Sequence, residues 1–96
     1  MFKDKDGNLL DNTIFIVQYD FDLDGAYIEL PENSILLMQG GSFTNGTFLL
    51  NNTTIYESFI DFDEVFNNIE FRNSWKVGTT KTCATGLYYW DGKKWQ

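Results

Sequence analysis

The chain has 96 residues and a formal net charge of −7, from fourteen acidic against seven basic residues. That length sets one domain at most, and the acidity, with no basic face in view, argues against direct binding to nucleic acid or to an anionic membrane surface. With one cysteine, Cys83, and no histidine, no intramolecular disulfide can form and the usual ligands of a zinc site are missing, so neither metal nor other cofactor is expected.

In chain order, residues 1–12 (MFKDKDGNLLDN) are polar, with a turn signal at KDKDGN, and are expected to form an N-terminal extension. They contain no long apolar run, so no secretory signal peptide is expected, and no stretch approaches the ~20 apolar residues of a membrane span. Residues 13–24 (TIFIVQYDFDLD) alternate, which predicts a strand. Phe15, Val17, Tyr19, Phe21 and Leu23 fall on one face, and Gln18, Asp20, Asp22 and Asp24 on the other, with Ile14 and Ile16 at its start. Gly25 ends this run, and AYIEL, the single Pro31, ILLMQ and Gly40–Gly41 follow. Short apolar pieces then alternate with Asn, Gly and Thr as far as residue 60. Residues 61–82 read as an extended connector that opens with a short helical turn at DEVFNNI and continues with Ile69, Phe71 and Trp75 on one side. Residues 83–96 read as a C-terminal aromatic β-hairpin, in which Asp91–Gly92 supplies both left-handed positions of a two-residue turn.

Residues 13–60 repeat with a period of 20. Leu10, Leu30 and Leu50 share a column, as do Phe15, Ile35 and Ile55. Asn8 aligns with Ile28 and Phe48, Thr13 with Asn33 and Thr53, Leu23 with Phe43, and Val17 with Leu37. A fixed period of this size predicts an all-β chain built as a short β-solenoid, with short strands as sides and Asn, Gly and Thr at the corners. An evenly spaced antiparallel β domain is the alternative. A solenoid of so few turns is expected to leave backbone edges and apolar side chains open at both ends, and hence to stack on itself or cap a partner.

The chemistry-bearing groups are few. DFDLDG (20–25) has the spacing that opens a calcium loop, but the twelfth position is Pro31, and alternating Asp is also how a strand with one wet face reads. Asp61, Asp63 and Glu64 are acids without a converging partner, and no catalysis is expected of them. Asn45, Asn51 and Asn52 sit in glycosylation sequons but read better as corner residues. Trp75, Tyr88, Tyr89, Trp90 and Trp95 are the candidate contact residues, for a protein interface or for stacking on a sugar ring.

The run LPENSILLMQGGSFTNGTFLLNNTTI (30–55), followed by FNNIEFRNSWKVGTT (66–80) and YYWDGKKWQ (88–96), resembles a module of fibre and tail-associated proteins of tailed bacteriophages of gut Bacteroides, including the crAss-like group. The resemblance covers most of the chain from residue 13, and the order of the three blocks is its most specific part. It implies a non-enzymatic virion structural protein, a homotrimer that docks onto other virion proteins, and it carries no catalytic residues. A carbohydrate-binding module that uses the aromatic hairpin on a surface glycan is the competing expectation, and a truncated lyase-like enzyme a third.

Overall fold

Short runs of β-branched and aromatic residues favour extended backbone. Asn, Asp and Gly between them tolerate the left-handed turns that reverse its direction. The computed structural model, which describes residues 2–57 and 61–96, follows that division. Its left-handed residues other than glycine are Asn12, Asp24, Asn33, Asn45, Asn52, Asn68 and Asn73, all Asn or Asp. The end of the repeat region at residue 60 lies outside the described residues.

Among the described residues the fold is all-β apart from one helical turn. The strands are β1 (Ile14–Val17), β2 (Asp20–Asp22), β3 (Tyr27–Glu29), β4 (Ile35–Met38), β5 (Ser42–Leu49), β6 (Thr54–Glu57), β7 (Phe66–Arg72), β8 (Thr80–Cys83) and β9 (Gly86–Tyr89), with α1 (Phe62–Val65) before β7. One sheet runs β1-β4-β6, every pair parallel. In a second sheet, β2 and β3 lie parallel to the two halves of β5, and β7 lies parallel along its other edge. An antiparallel hairpin, β8–β9, is separate from both. The strand expected over 13–24 is therefore two strands with a corner at Gln18–Tyr19, and Tyr19, expected inside, is 73% exposed.

Parallel pairing places like side chains in columns. Phe15, Leu36 and Ile55 form one, Phe21, Phe43 and Phe66 another, and Ile28, Phe48 and Phe71 a third. The second of these is a ring stack, with centroids 5.5 and 6.1 Å apart and planes within 21° and 15° of parallel. Offset aromatic contacts of this kind add about 0.5–1.5 kcal/mol each beyond area burial.

The register departs from a uniform period of 20, and corner length explains where. Leu36, not Ile35, lies between Phe15 and Ile55, because the corner after Leu30 contains the buried Pro31 and is one residue longer than the corner after Leu50. Phe21, not Leu23, faces Phe43, because the Gly40–Gly41 corner is also one residue longer than its counterpart at Gln18–Tyr19. The longer Asp24–Gly25 bend then restores the offset of 20 between Ile28 and Phe48.

Both ends of the core carry a cap of apolar side chains, which corrects in part the expectation that they lie open: among the described residues β1, β2 and β3 still have a strand neighbour on one side alone. Residues 2–10 fold back through a Lys3–Leu9 bridge, and Phe2 meets Phe15 edge-on at 4.9 Å and Phe48 at 6.3 Å. At the other end Trp75, bridged in parallel to Thr53 and 3% exposed, packs on Phe71 at 5.1 Å, with Phe62 and Trp95 beside it.

Gly41 is needed for close backbone approach: a Cβ there would lie 2.5 Å from the Tyr19 carbonyl oxygen. Gly41→Ala is expected to destabilise the chain by about 1–3 kcal/mol, the usual range for forcing extra volume into a tight site. A urea midpoint that does not move would contradict this packing.

Candidate functional site

The aromatic residues at the C-terminus occupy a corner between α1, the last layer of strands and the β8–β9 hairpin. The two-residue turn expected at Asp91–Gly92 is instead a four-residue loop closed by a Trp90–Trp95 bridge, and of its first two residues Gly92 is left-handed and Asp91 is not. The cause is the Asp91 carboxylate. Its Oδ1 accepts the backbone N–H groups of Lys93 at 2.8 Å and Lys94 at 2.9 Å, and its Oδ2 accepts the Gln96 side-chain amide. This fixes an aspartate-capped loop in place of a left-handed pair. The hairpin arm also begins at Thr80, inside the stretch read as connector.

Four of the five candidate aromatics turn inward to some degree. Trp75 is buried, and Trp90 and Trp95 are half-buried with ring centroids 5.3 Å apart. The Trp90 indole Nε1–H donates to Ser74 Oγ at 2.9 Å. Lys81 extends over the rings, its Nζ 4.5 Å from the Trp95 centroid, 4.7 Å from Phe62 and 5.9 Å from Tyr88. A lysine stem laid over aromatic faces contributes cation–π attraction and covers apolar area together. Tyr88 is half-buried, its hydroxyl 2.7 Å from that of Thr85. Tyr89 alone of the five is exposed, beside Leu87 on the outer side of the hairpin. Trp95 therefore packs edge-to-face on Trp90 and tilted on Trp75, and the indoles do not lie side by side as an open platform.

The carboxylates singled out in the sequence are spread over several turns. Asp61 Oδ1 caps α1 by accepting the Asp63 N–H at 3.0 Å, and the ligand atoms of Asp61, Asp63 and Cys83 lie within 4.8 Å of one another. Asp20 Oδ1 accepts from Ser42 Oγ at 2.7 Å, while Asp22 Oδ1 accepts the Asp24 N–H at 3.0 Å and the Asn45 amide at 3.4 Å. Asp22 and Asp24 border an open, polar groove of about 400 Å³ that also takes in Asn68 and Glu70.

A different surface emerges from the fold. The outward side chains of β1-β4-β6 form two rows, Ile14–Ile35–Thr54 and Ile16–Leu37–Tyr56, with no charge in either. Ile14, Ile16 and Tyr56 are 58%, 54% and 58% exposed. Sequence reasoning pointed to the aromatic hairpin and did not single out this face. The available signal was the pair Ile14 and Ile16 on what otherwise read as the wet side of an alternating strand. Among the described residues no helix is long and apolar enough to cross a membrane. Comparison with protein-family models, with curated proteins and with solved structures gives no match to this chain.

The loop at Asp91 has a pH signature. Hydrogen bonds from the Lys94 and Lys93 amides, and then from Gln96, hold the Asp91 carboxyl below its ordinary value of 3.8. A group with a lowered folded value contributes stability that is complete above the unfolded value and is lost as pH falls through the folded one. The Asp91 carboxyl signal in NMR is expected to titrate below 3.8, with the Lys93 and Lys94 amide shifts following it. A midpoint at or above 3.8 would contradict the capped loop.

Proposed function

We propose that this chain is a short β-solenoid that serves as a non-enzymatic structural part of a tailed-bacteriophage virion, as a fibre, cap or head-to-tail adaptor. In this reading it assembles with copies of itself, as a homotrimer, and docks onto neighbouring virion proteins. One observation carries the solenoid. Successive layers pair in parallel, and at the same corner of each layer stands a left-handed asparagine, Asn12, Asn33 and Asn52, joined to the next by side-chain hydrogen bonds. A second ladder of side-chain hydrogen bonds runs Asp22–Asn45–Asn68, with Asn45 and Asn68 left-handed where β5 and β7 bend and Asp24 left-handed beside Asp22, so that each layer has three straight arms. Coils that stack this way suit a rigid spacer or cap.

The virion assignment is supported by the order of the three sequence blocks that resemble phage fibre and tail modules. The packing of Trp75, Trp90 and Trp95 on one another favours a structural and protein-contacting role over the glycan-binding alternative. The carboxylates of Asp22, Asp61 and Asp91 hold turns, which suits a scaffold better than a site of general acid–base chemistry.

The solution mass of the purified chain, measured by light scattering at several concentrations, tests the assembly. A mass of three times 11.2 kDa that persists on dilution is the expected outcome. A well-folded chain that stays at 11.2 kDa throughout would contradict self-association.

A further inference from the structure

We infer that the outward face of β1-β4-β6 is the surface through which one copy of this chain meets another. The inference rests on the self-association proposed above and names the face that performs it.

The first support is the distribution of charge. The chain carries −7, yet the two rows Ile14–Ile35–Thr54 and Ile16–Leu37–Tyr56 carry none. The outer side of the second sheet is different: it presents Asp20, Asp22, Glu29, Glu70 and Arg72, all exposed. Two copies that met through that sheet would bring acidic rows within the ~8 Å over which charges act at physiological salt. Two copies that meet through β1-β4-β6 keep those rows apart. The face also offers no charge by which to select a basic or acidic partner, and an uncharged surface is complementary to its own copy.

The second support is extent. Three strands about 4.8 Å apart and four residues of about 3.3 Å give a patch of roughly 14 × 13 Å, well below the ~800 Å² per partner of a stable interface. Exposed apolar residues continue beyond both of its edges. Tyr19, 73% exposed, follows β1 at the corner, and Val77, 66% exposed, borders a shallow depression shared with Tyr56 and with Lys76, whose charge marks the edge of the apolar surface. The molecule measures 41 × 25 × 22 Å, so a contact of that size has to run along the long flank beyond the patch itself. Exposed Ile and Tyr side chains standing on a flat sheet lose water contact together when such a flank is covered. In a ring of three, each copy turns this face toward the axis and meets its two neighbours through opposite edges of it, a heterologous contact that closes.

The experiment is the solution mass of Ile16→Lys and Tyr56→Lys beside the unmodified chain, with Tyr27→Lys on the second sheet as the control. Each replaced side chain is more than half exposed, so the core is left intact, and a retained β signal in circular dichroism confirms folding. The expected result is that Ile16→Lys and Tyr56→Lys fall to 11.2 kDa while Tyr27→Lys keeps the mass of the unmodified chain. If the unmodified chain is an oligomer and all three variants remain one, the face is wrong and self-association stands. If the unmodified chain is itself a monomer, self-association fails, and the face belongs to some other occupant.

Discussion

Asn33 donates its side-chain amide to Asn12 and accepts that of Asn52, and at all three the backbone is left-handed. The remainder of the fold depends on this stacking of corners. An L-residue in that conformation costs roughly 1–2 kcal/mol unless it is Gly, or an Asn or Asp that can bond locally. Placing asparagine at each corner lowers that cost, and the amide ladder then ties one layer to the next at a fixed height. Once the corners align, the residues that follow must pair in parallel. The Phe15, Phe21 and Ile28 columns come into line, and the hydroxyls of Ser34 and Thr53 meet inside at 3.0 Å, so that neither polar group is buried alone.

The sequence made some of this legible and not the rest, for reasons that lie in particular residues. The period of 20 was visible because Leu30 and Leu50 and the pair Ile28 and Phe48 repeat with no change of spacing. The true columns at Leu36 and Phe21 were hidden because Pro31 and the Gly40–Gly41 pair each lengthen a corner by one residue, and a one-residue shift exchanges inside for outside in a strand. Tyr19 was misplaced for a related reason. Alternation continues through Gln18–Tyr19 in the sequence, while the chain turns there and leaves the ring outside. The covered ends were not legible either, since nothing local in Phe2 or Trp75 says that it packs across the first or last layer.

The aromatic hairpin shows how far composition can mislead about a site. Five Trp and Tyr residues near a turn suggest a contact surface, but the rings of Trp75, Trp90 and Trp95 close one end of the core, with Lys81 over Trp95 and Ser74 accepting from Trp90, and Tyr89 alone faces out. The face that stays apolar in water is assembled from Ile14, Ile16, Ile35, Leu37 and Tyr56, which are scattered over 43 residues of sequence and become neighbours only through parallel pairing. A chain that separates its charge in this way, with exposed acids on the outer side of one sheet and none in the outward rows Ile14–Ile35–Thr54 and Ile16–Leu37–Tyr56 of the other, has one flank suited to water and one to protein. That division, together with the stacked layers, is the physical content of the structural role proposed for it.

The central claim is the parallel order of the layers, and proton–proton contacts measured by NMR across the strands test it most directly. Leu36 backbone protons are expected to show contacts with Phe15 on one side and Ile55 on the other, and those of Phe48 with both Ile28 and Phe71. Contacts instead between sequence neighbours, with β4 folded back antiparallel onto β5, would contradict the stacked layers and everything built on them.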